Sequence, residues 1–384
     1  PVTVSHSATR TSASPSGIDQ RPPLIARPAS LRRGSEIPPR AWLYGTRLVR
    51  RYVSALVAPG GVGKTAVTIG IAIAVATGKP LLGEKVWVRG SVWILNLEDP
   101  LDEVDRRIAA AMDRHGIEDG EHRGRLFTNS GRDREVVVVG RTDDGFAIVQ
   151  PDKEAVIAEA RAREIALLIV DPFIRSHRLD ENKNVEMDQV IAAWGQVAEE
   201  ANCAVLLVHH ARKGASQGDI EASRGAKALT DGARVGMLLS PMTADEAAEA
   251  GISGDDRLAF VRLENAKANL TARSQDHGWL KLESASLGNP VEPYTAGDSV
   301  QVVVPWLPAD VFEEFELPEI DAVLDRIKAG HEPGILNSKS RQGGSKRWVG
   351  EVLIEVGGRS DAQAKEIVRR WLASGLLVEE SFPH

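Results

Sequence analysis

Cysteine is almost absent from this chain of 384 residues, in which Cys203 stands alone. No intramolecular disulfide can form, which fits a reducing cytoplasmic compartment. Cys203 precedes the apolar run Ala204-Val205-Leu206-Leu207-Val208 and reads as a buried structural thiol. Long apolar runs are missing as well. None reaches the roughly 18 residues of a membrane span, and Pro1-Val2-Thr3 resembles no signal peptide. No membrane partner is expected. A positive charge balance is also lacking: the net charge of −7 argues against a globally basic nucleic-acid binder. The paired His209 and His210 have no Cys or His cluster to complete a metal site.

What is present starts with composition. Hydrophobic residues make up 42% of the chain, enough for a substantial core. The charge is uneven. Residues 1–51 hold nine arginines (Arg10, Arg21, Arg27, Arg32, Arg33, Arg40, Arg47, Arg50 and Arg51) against only Asp19 and Glu36. Such an arm can touch phosphate backbones or an acidic neighbouring subunit.

The most informative stretch is Ala58-Pro59-Gly60-Gly61-Val62-Gly63-Lys64-Thr65. It follows a β-branched, apolar run (residues 52–57) and opens a long apolar segment that reads as a helix (Ala66 to Thr77). Strand, glycine loop ending in Gly-Lys-Thr, and helix is the setting of a phosphate-binding P-loop. Glycines let backbone N–H groups approach the β- and γ-phosphates, and the helix N-terminus adds positive potential. Gly60, Gly61, Val62, Gly63, Lys64, Thr65 and Ala66 are therefore the expected ATP-binding residues, with the Thr65 hydroxyl suited to Mg²⁺. The first glycine of the usual pattern is replaced by Ala58, which costs little if its φ is negative. The plain alternative is a glycine turn before a helix.

Residues 1–39, rich in Ser, Pro, Arg and Thr, read as a disordered or partner-ordered arm. From 40 to 283, apolar non-alternating strands alternate with helices, which predicts an α/β fold with a mostly parallel sheet covered on both faces. Residues 284–309 read as a linker, with a possible strand at 299–304. A second unit at 310–384 carries three short helices, a glycine turn and a final strand near Leu376-Leu377-Val378. That order fits a winged-helix-like domain, or else a helical bundle for oligomerisation.

Asp171 ends the strand Leu167-Leu168-Ile169-Val170, the position of a Walker B carboxylate for Mg²⁺. The next residue is Pro172, so a catalytic base must come from elsewhere. Glu98, ending the strand Ile94-Leu95-Asn96-Leu97, is the candidate, because carboxyl ends of parallel strands line the ligand crevice. Its bland alternative is an acid at the start of the next helix, although Asp99, before Pro100, is the better cap. His209 and His210 follow another buried strand, where a γ-phosphate sensor would lie; which of them points inward is left open by the residues alone. Two polar loops leave the same edge. One carries Arg175 and Arg178, the other Arg212 and Lys213, and all four are candidate DNA-backbone contacts. Neither loop has an aromatic residue for base stacking, and both could be plain solvated connections. Arg234 and Lys267 lie at the ends of edge strands, badly placed for their own ATP but well placed for a neighbour's, unless they are simple surface cations.

Taken together, these motifs resemble the RecA-fold ATPases of the RepA type, AAA-family hexameric replicative helicases of plasmids and phages. The resemblance rests on residues 58–65, Leu97-Glu98-Asp99-Pro100, residues 168–172, residues 208–214, Ser223-Arg224-Gly225, Leu229-Thr230-Asp231 and Lys267-Ala268-Asn269, and spans about residues 40–283. It implies a RecA-like core, ATP and Mg²⁺ as ligands, Lys64 and Glu98 in catalysis with Glu98 as base, and His210 as γ-phosphate sensor. It further implies Arg234 as a finger in trans with Lys267 as a second such cation, a homo-hexameric ring, and single-stranded DNA in its channel. The domain after 310 would then recruit the ring to duplex DNA or a replication initiator. Two other readings remain: a recombination-type filament ATPase, and a DNA-binding regulator using ATP as an assembly switch.

Overall fold

The computed structural model describes residues 25–26, 28–29, 32–118, 120–142, 147–210, 224–270, 278–307, 317–332, 335–338, 347–359, 361–374 and 376–378. By its contacts the chain divides into residues 1–39 and 40–384. In the first part the described residues are all exposed, with one 3-10 turn at Gly34–Glu36, where the Arg33 N–H donates to the Glu36 carboxylate at 3.2 Å.

The second part opens with a short antiparallel pair, β1 (Trp42–Tyr44) and β2 (Leu48–Val49), and then β3 (Val53–Ala58). Ala58 closes β3 and is not among the residues with positive φ, so it takes the place of a glycine without strain. The P-loop follows, with Gly61 and Gly63 at φ +81 and +83, a region that side chains with a Cβ avoid. Helix α1 (Lys64–Thr77) is apolar on every face, so it must be buried all round, and it ends at Gly78 in the left-handed conformation. Then come β4 (Ser91–Asn96) and α2 (Leu101–Arg114), whose buried Val104, Ile108 and Ala111 repeat at helical spacing. Next are β5 (Leu126–Ser130), the hairpin β6 (Val139–Arg141) with β7 (Ala147–Val149), α3 (Asp152–Ala162) and β8 (Ile165–Asp171). They are followed by α4 (Asn184–Glu200), β9 (Ala204–His210), α5 (Arg224–Gly232), β10 (Val235–Pro241) and α6 (Ala244–Glu249). The strands β11 (Phe260–Ala268), β12 (Gly278–Ser286) and β13 (Ser299–Trp306) complete the sheet.

Among the described residues these strands form a nine-stranded sheet in the order β13-β12-β11-β10-β3-β9-β8-β4-β5. The six strands from β10 to β5 are parallel, and β11, β12 and β13 join as an antiparallel extension. This is the expected α/β core with a mostly parallel sheet. One hydrophobic cluster joins α1 and α2 to one face, and a second joins α3, α4 and α5 to the other. Burial on both faces explains why the strand sequences do not alternate.

Within the expected linker 284–309, the possible strand at 299–304 is present as β13, and it belongs to the sheet. Its eight residues pair with β12 from Trp279↔Trp306 to Ser286↔Ser299, and Val302 and Val303 are buried in the α1–α2 cluster. His115 Nε2 on α2 lies 2.9 Å from the Val303 carbonyl oxygen, tying that edge to the helix layer. The ATPase sheet therefore runs past residue 283. Its polar, glycine-rich connection is a loop at residues 287–298 between two paired strands.

Among the described residues three helices follow: α7 (Leu317–Lys328), α8 (Val349–Glu355) and α9 (Asp361–Ser374). They share a separate apolar cluster that includes Val323, Trp348, Leu353, Ile367 and Trp371. The final strand expected near Leu376–Val378 is not formed by these described residues. Instead the Leu377 N–H donates to the Trp371 carbonyl at 3.0 Å, folding the chain back on the end of α9.

Candidate functional site

Parallel pairing aligns the carboxyl ends of four adjacent strands. Ala58 on β3 is opposite His210 on β9, and Asn96 on β4 is opposite Asp171 on β8. One further ladder bond, Leu97 N–H to Asp171 O at 2.8 Å, carries Glu98 just beyond Asp171. Side chains alternate between faces along a strand. On β9, Leu206 and Val208 join the α1 cluster while Val205 and Leu207 join the opposite one. His210 therefore shares the α1 face with the P-loop. His209 faces the other way, buried, with its ring edge-on to Phe173 at 6.0 Å between centroids. The same alternation puts Ile94 and then Glu98, and Ile169 and then Asp171, on the α1 side.

Within this mouth, Lys64 is buried and its Nζ donates to the P-loop's own carbonyls, Ala58 O at 3.2 Å and Pro59 O at 2.7 Å. Burial lowers its pKa to about 8, and the nearby Asp171 and Glu98 carboxylates oppose that shift. Thr65 Oγ1 donates to Asp171 Oδ2 at 3.1 Å. Burial pushes the Asp171 carboxyl up to about 6, while the Thr65 hydroxyl and Lys64 pull it back. A carboxylate that burial pushes out of its normal range, beside a hydroxyl oxygen, fits a divalent cation. Among the described residues no group of three or more His, Cys, Asp or Glu is placed to hold a metal. That donor set suits Mg²⁺, which is held by one or two protein oxygens together with substrate phosphates rather than by an all-protein cage. His210 is exposed, and its pKa is lowered first by partial burial and then by the Lys64 charge.

Glu98 stands at a turn that its neighbours fix. Asn96 Oδ1 accepts from the Glu98 and Asp99 N–H groups at 3.0 and 2.7 Å. Arg132 Nε donates to the Glu98 carbonyl at 2.8 Å, and Ser130 Oγ to the Asp99 carbonyl at 2.7 Å. The Glu98 carboxylate itself is half exposed, with Arg175 Nη2 3.8 Å away. Asp99 does not cap α2 as its place before Pro100 implied. Pro100 is the N-cap residue without a side-chain bond, and the Asp99 carboxylate takes a 3.4 Å bond from Asn96 Nδ2.

The remaining candidates divide. Arg175 lies in the short 3-10 turn after β8 and is turned toward Glu98. Arg178 pairs with Glu135. Arg212 and Lys213 lie outside the described residues. Arg234, exposed, precedes β10, and its N–H donates to the Val53 carbonyl at 3.0 Å, at the opposite end of β3 from the P-loop. Lys267, on β11, donates its Nζ to the Thr230 carbonyl at 3.0 Å and to that of Asp231, at the carboxyl end of α5. The lysine and arginine pair is therefore not brought to the chain's own P-loop. Asn96, Ser130 and Arg132, which build the Glu98 turn, escaped the sequence reading. An Asx-turn pattern at Asn96 was the available signal, but nothing in the sequence marks the contacts that β5 supplies.

No helix among the described residues is long and apolar enough to cross a membrane. A family model described as an AAA domain matches residues 21–216, from the arm to just beyond β9, which is slightly more than half of the chain. Members of this family are P-loop ATPases that generally bind ATP with Mg²⁺. With its glycine loop, its Thr65–Asp171 pair and this match, the chain belongs to the AAA domain family of P-loop ATPases.

Proposed function

We propose that this ATPase is a ring-forming motor that moves on single-stranded DNA, as a replicative helicase of a plasmid or phage. ATP sits with its phosphates on the P-loop N–H groups and Lys64 (Gly60 to Ala66). Thr65 and Asp171 hold Mg²⁺, which neutralises charge on the β- and γ-phosphate oxygens. Glu98 accepts the proton of the attacking water, taking the place that Pro172 denies to a residue after Asp171. His210, on the P-loop face, reports the γ-phosphate to the loop that follows β9. The Arg132–Glu98 and Asn96–Glu98 bonds support this assignment by fixing the turn that carries the carboxylate.

The position of Arg234 carries the ring reading. It pairs with the start of β3, while the P-loop leaves the end of that strand five residues later. At about 3.3 Å per residue that is roughly 16 Å, beyond the reach of its side chain. A cation so placed serves a neighbour's ATP, with Lys267 beside it on β11. On this reading Arg175, Arg178, Arg212 and Lys213 contact the DNA backbone, and residues 310–384, as a winged-helix-like domain, recruit the ring to duplex DNA or an initiator.

Steady-state ATPase activity with and without single-stranded DNA, on wild type and Glu98→Gln, tests the proposal. Hydrolysis should rise on adding single strands, and the variant should bind ATP but lose turnover at least 100-fold. Undiminished turnover in Glu98→Gln refutes the base. Hydrolysis indifferent to DNA refutes the motor and favours the assembly-switch reading, in which the α7–α9 cluster binds duplex DNA.

A further inference from the structure

The P-loop has an open side and a walled side. A Cβ at Gly60 or Gly61 would meet nothing within 4 Å among the described residues. A Cβ at Gly63 would lie 2.6 Å from Leu282 Cδ2 and 3.1 Å from Gln301 Oε1. Leu282 belongs to β12 and Gln301 to β13, the strands that composition assigned to the edge of the core and to a linker. Two antiparallel steps from β10 make β12 run parallel to β3. The end of β12 and the beginning of β13 therefore stand at the P-loop end of the sheet. Gln301, opposite Ser284, is exposed there, while Val302 and Val303 beyond it are buried.

The direction of the bound nucleotide follows from the sheet order. With Asp171, Glu98 and His210 in the roles proposed above, the γ-phosphate end would lie on the β9-β8-β4 side of β3. The nucleoside, at the other end of the triphosphate, would then lie toward the β10-to-β13 side, the side of Leu282 and Gln301. A glutamine amide offers an acceptor and a donor side by side. On the edge made by N6 and N7 that pattern matches adenine, which presents a donor and an acceptor there, and mismatches guanine, whose O6 and N7 are both acceptors.

We propose that Gln301 is a specificity-determining residue that reads the base of the bound nucleotide and selects adenine, with Leu282 as the apolar contact beside it. This inference rests on the P-loop ATPase assignment. The test is calorimetric titration of the full chain with ADP, GDP and tripolyphosphate in the presence of Mg²⁺, which reads binding rather than turnover. Wild type should bind ADP about tenfold or more tighter than GDP. Gln301→Ala should bring the two affinities to within about twofold of each other by weakening ADP, and leave tripolyphosphate unchanged. Gln301→Glu, with acceptors only, should weaken ADP as Gln301→Ala does and gain nothing for GDP, because guanine presents only acceptors, N7 and O6, on that edge. Because Gln301 is exposed, the fold should tolerate both changes. A wild-type ADP-to-GDP ratio retained in Gln301→Ala, or no discrimination in wild type, overturns the proposal and leaves the P-loop assignment standing. Failure of wild type to bind tripolyphosphate overturns the P-loop assignment and this inference with it.

Discussion

Acid should unfold the nucleotide-free protein through two buried histidines before it touches the surface. His177 and His209 are each at most 4% exposed, and both flank Phe173, with ring centroids at 5.0 and 6.0 Å from it. His177 Nδ1 accepts the Leu179 N–H at 3.2 Å, while His177 Nε2 and His209 Nδ1 have no hydrogen-bond partner among the described residues. Burial, the main cause, lowers both pKa values from 6.5 to about 4. For a base whose folded pKa is depressed, the unfolded chain binds more protons between the two values, so stability is lost as pH falls from about 6.5 toward 4. Each histidine then costs about 2 kcal/mol between pH 7 and pH 5. Asp171 works the other way. Its pKa is raised to about 6, so ionising it opposes folding, and acidification to pH 5 returns about 1 kcal/mol. The net expected loss is about 2–3 kcal/mol. Urea unfolding of wild type and His209→Leu at pH 7 and pH 5 measures it. The variant should lose about 2 kcal/mol less than wild type over that interval, whatever its stability at pH 7. A difference between the two proteins that does not change with pH refutes the reasoning.

Two further outcomes follow from the same site. Asp171→Asn should stabilise the nucleotide-free protein at pH 7 by up to about 3 kcal/mol, seen as a higher Tm, because it removes a buried carboxylate, while abolishing Mg²⁺-dependent ATP binding; a lowered Tm contradicts the burial argument. Mixing Arg234→Ala protein with Lys64→Ala protein should restore part of the ATPase activity that each lacks alone, since mixed rings contain interfaces with an intact P-loop facing an intact Arg234; no recovery at any mixing ratio rules out a cation donated in trans.

The sequence by itself determined the local chemistry. The spacing of Gly60 to Thr65 between a β-branched run and an apolar helix specifies a phosphate loop, because only that order lets N–H groups converge. The places of Asp171, at the end of β8, and of Glu98, two residues beyond β4, were legible because the type of those apolar strands follows from short-range patterning. Cys203 is buried, as its apolar neighbours implied. Only the tertiary structure decided which of His209 and His210 shares the P-loop's face. A strand buried on both faces carries no hydrophobic alternation, so the parity that turns His210 to the P-loop comes from α1 packing on one face and α4 on the other. The same holds for β13. Residues 287–298 look like a linker because loop composition is local, whereas the pairing of Ser299–Trp306 with β12 and the placing of Gln301 against Gly63 depend on residues far apart in the chain.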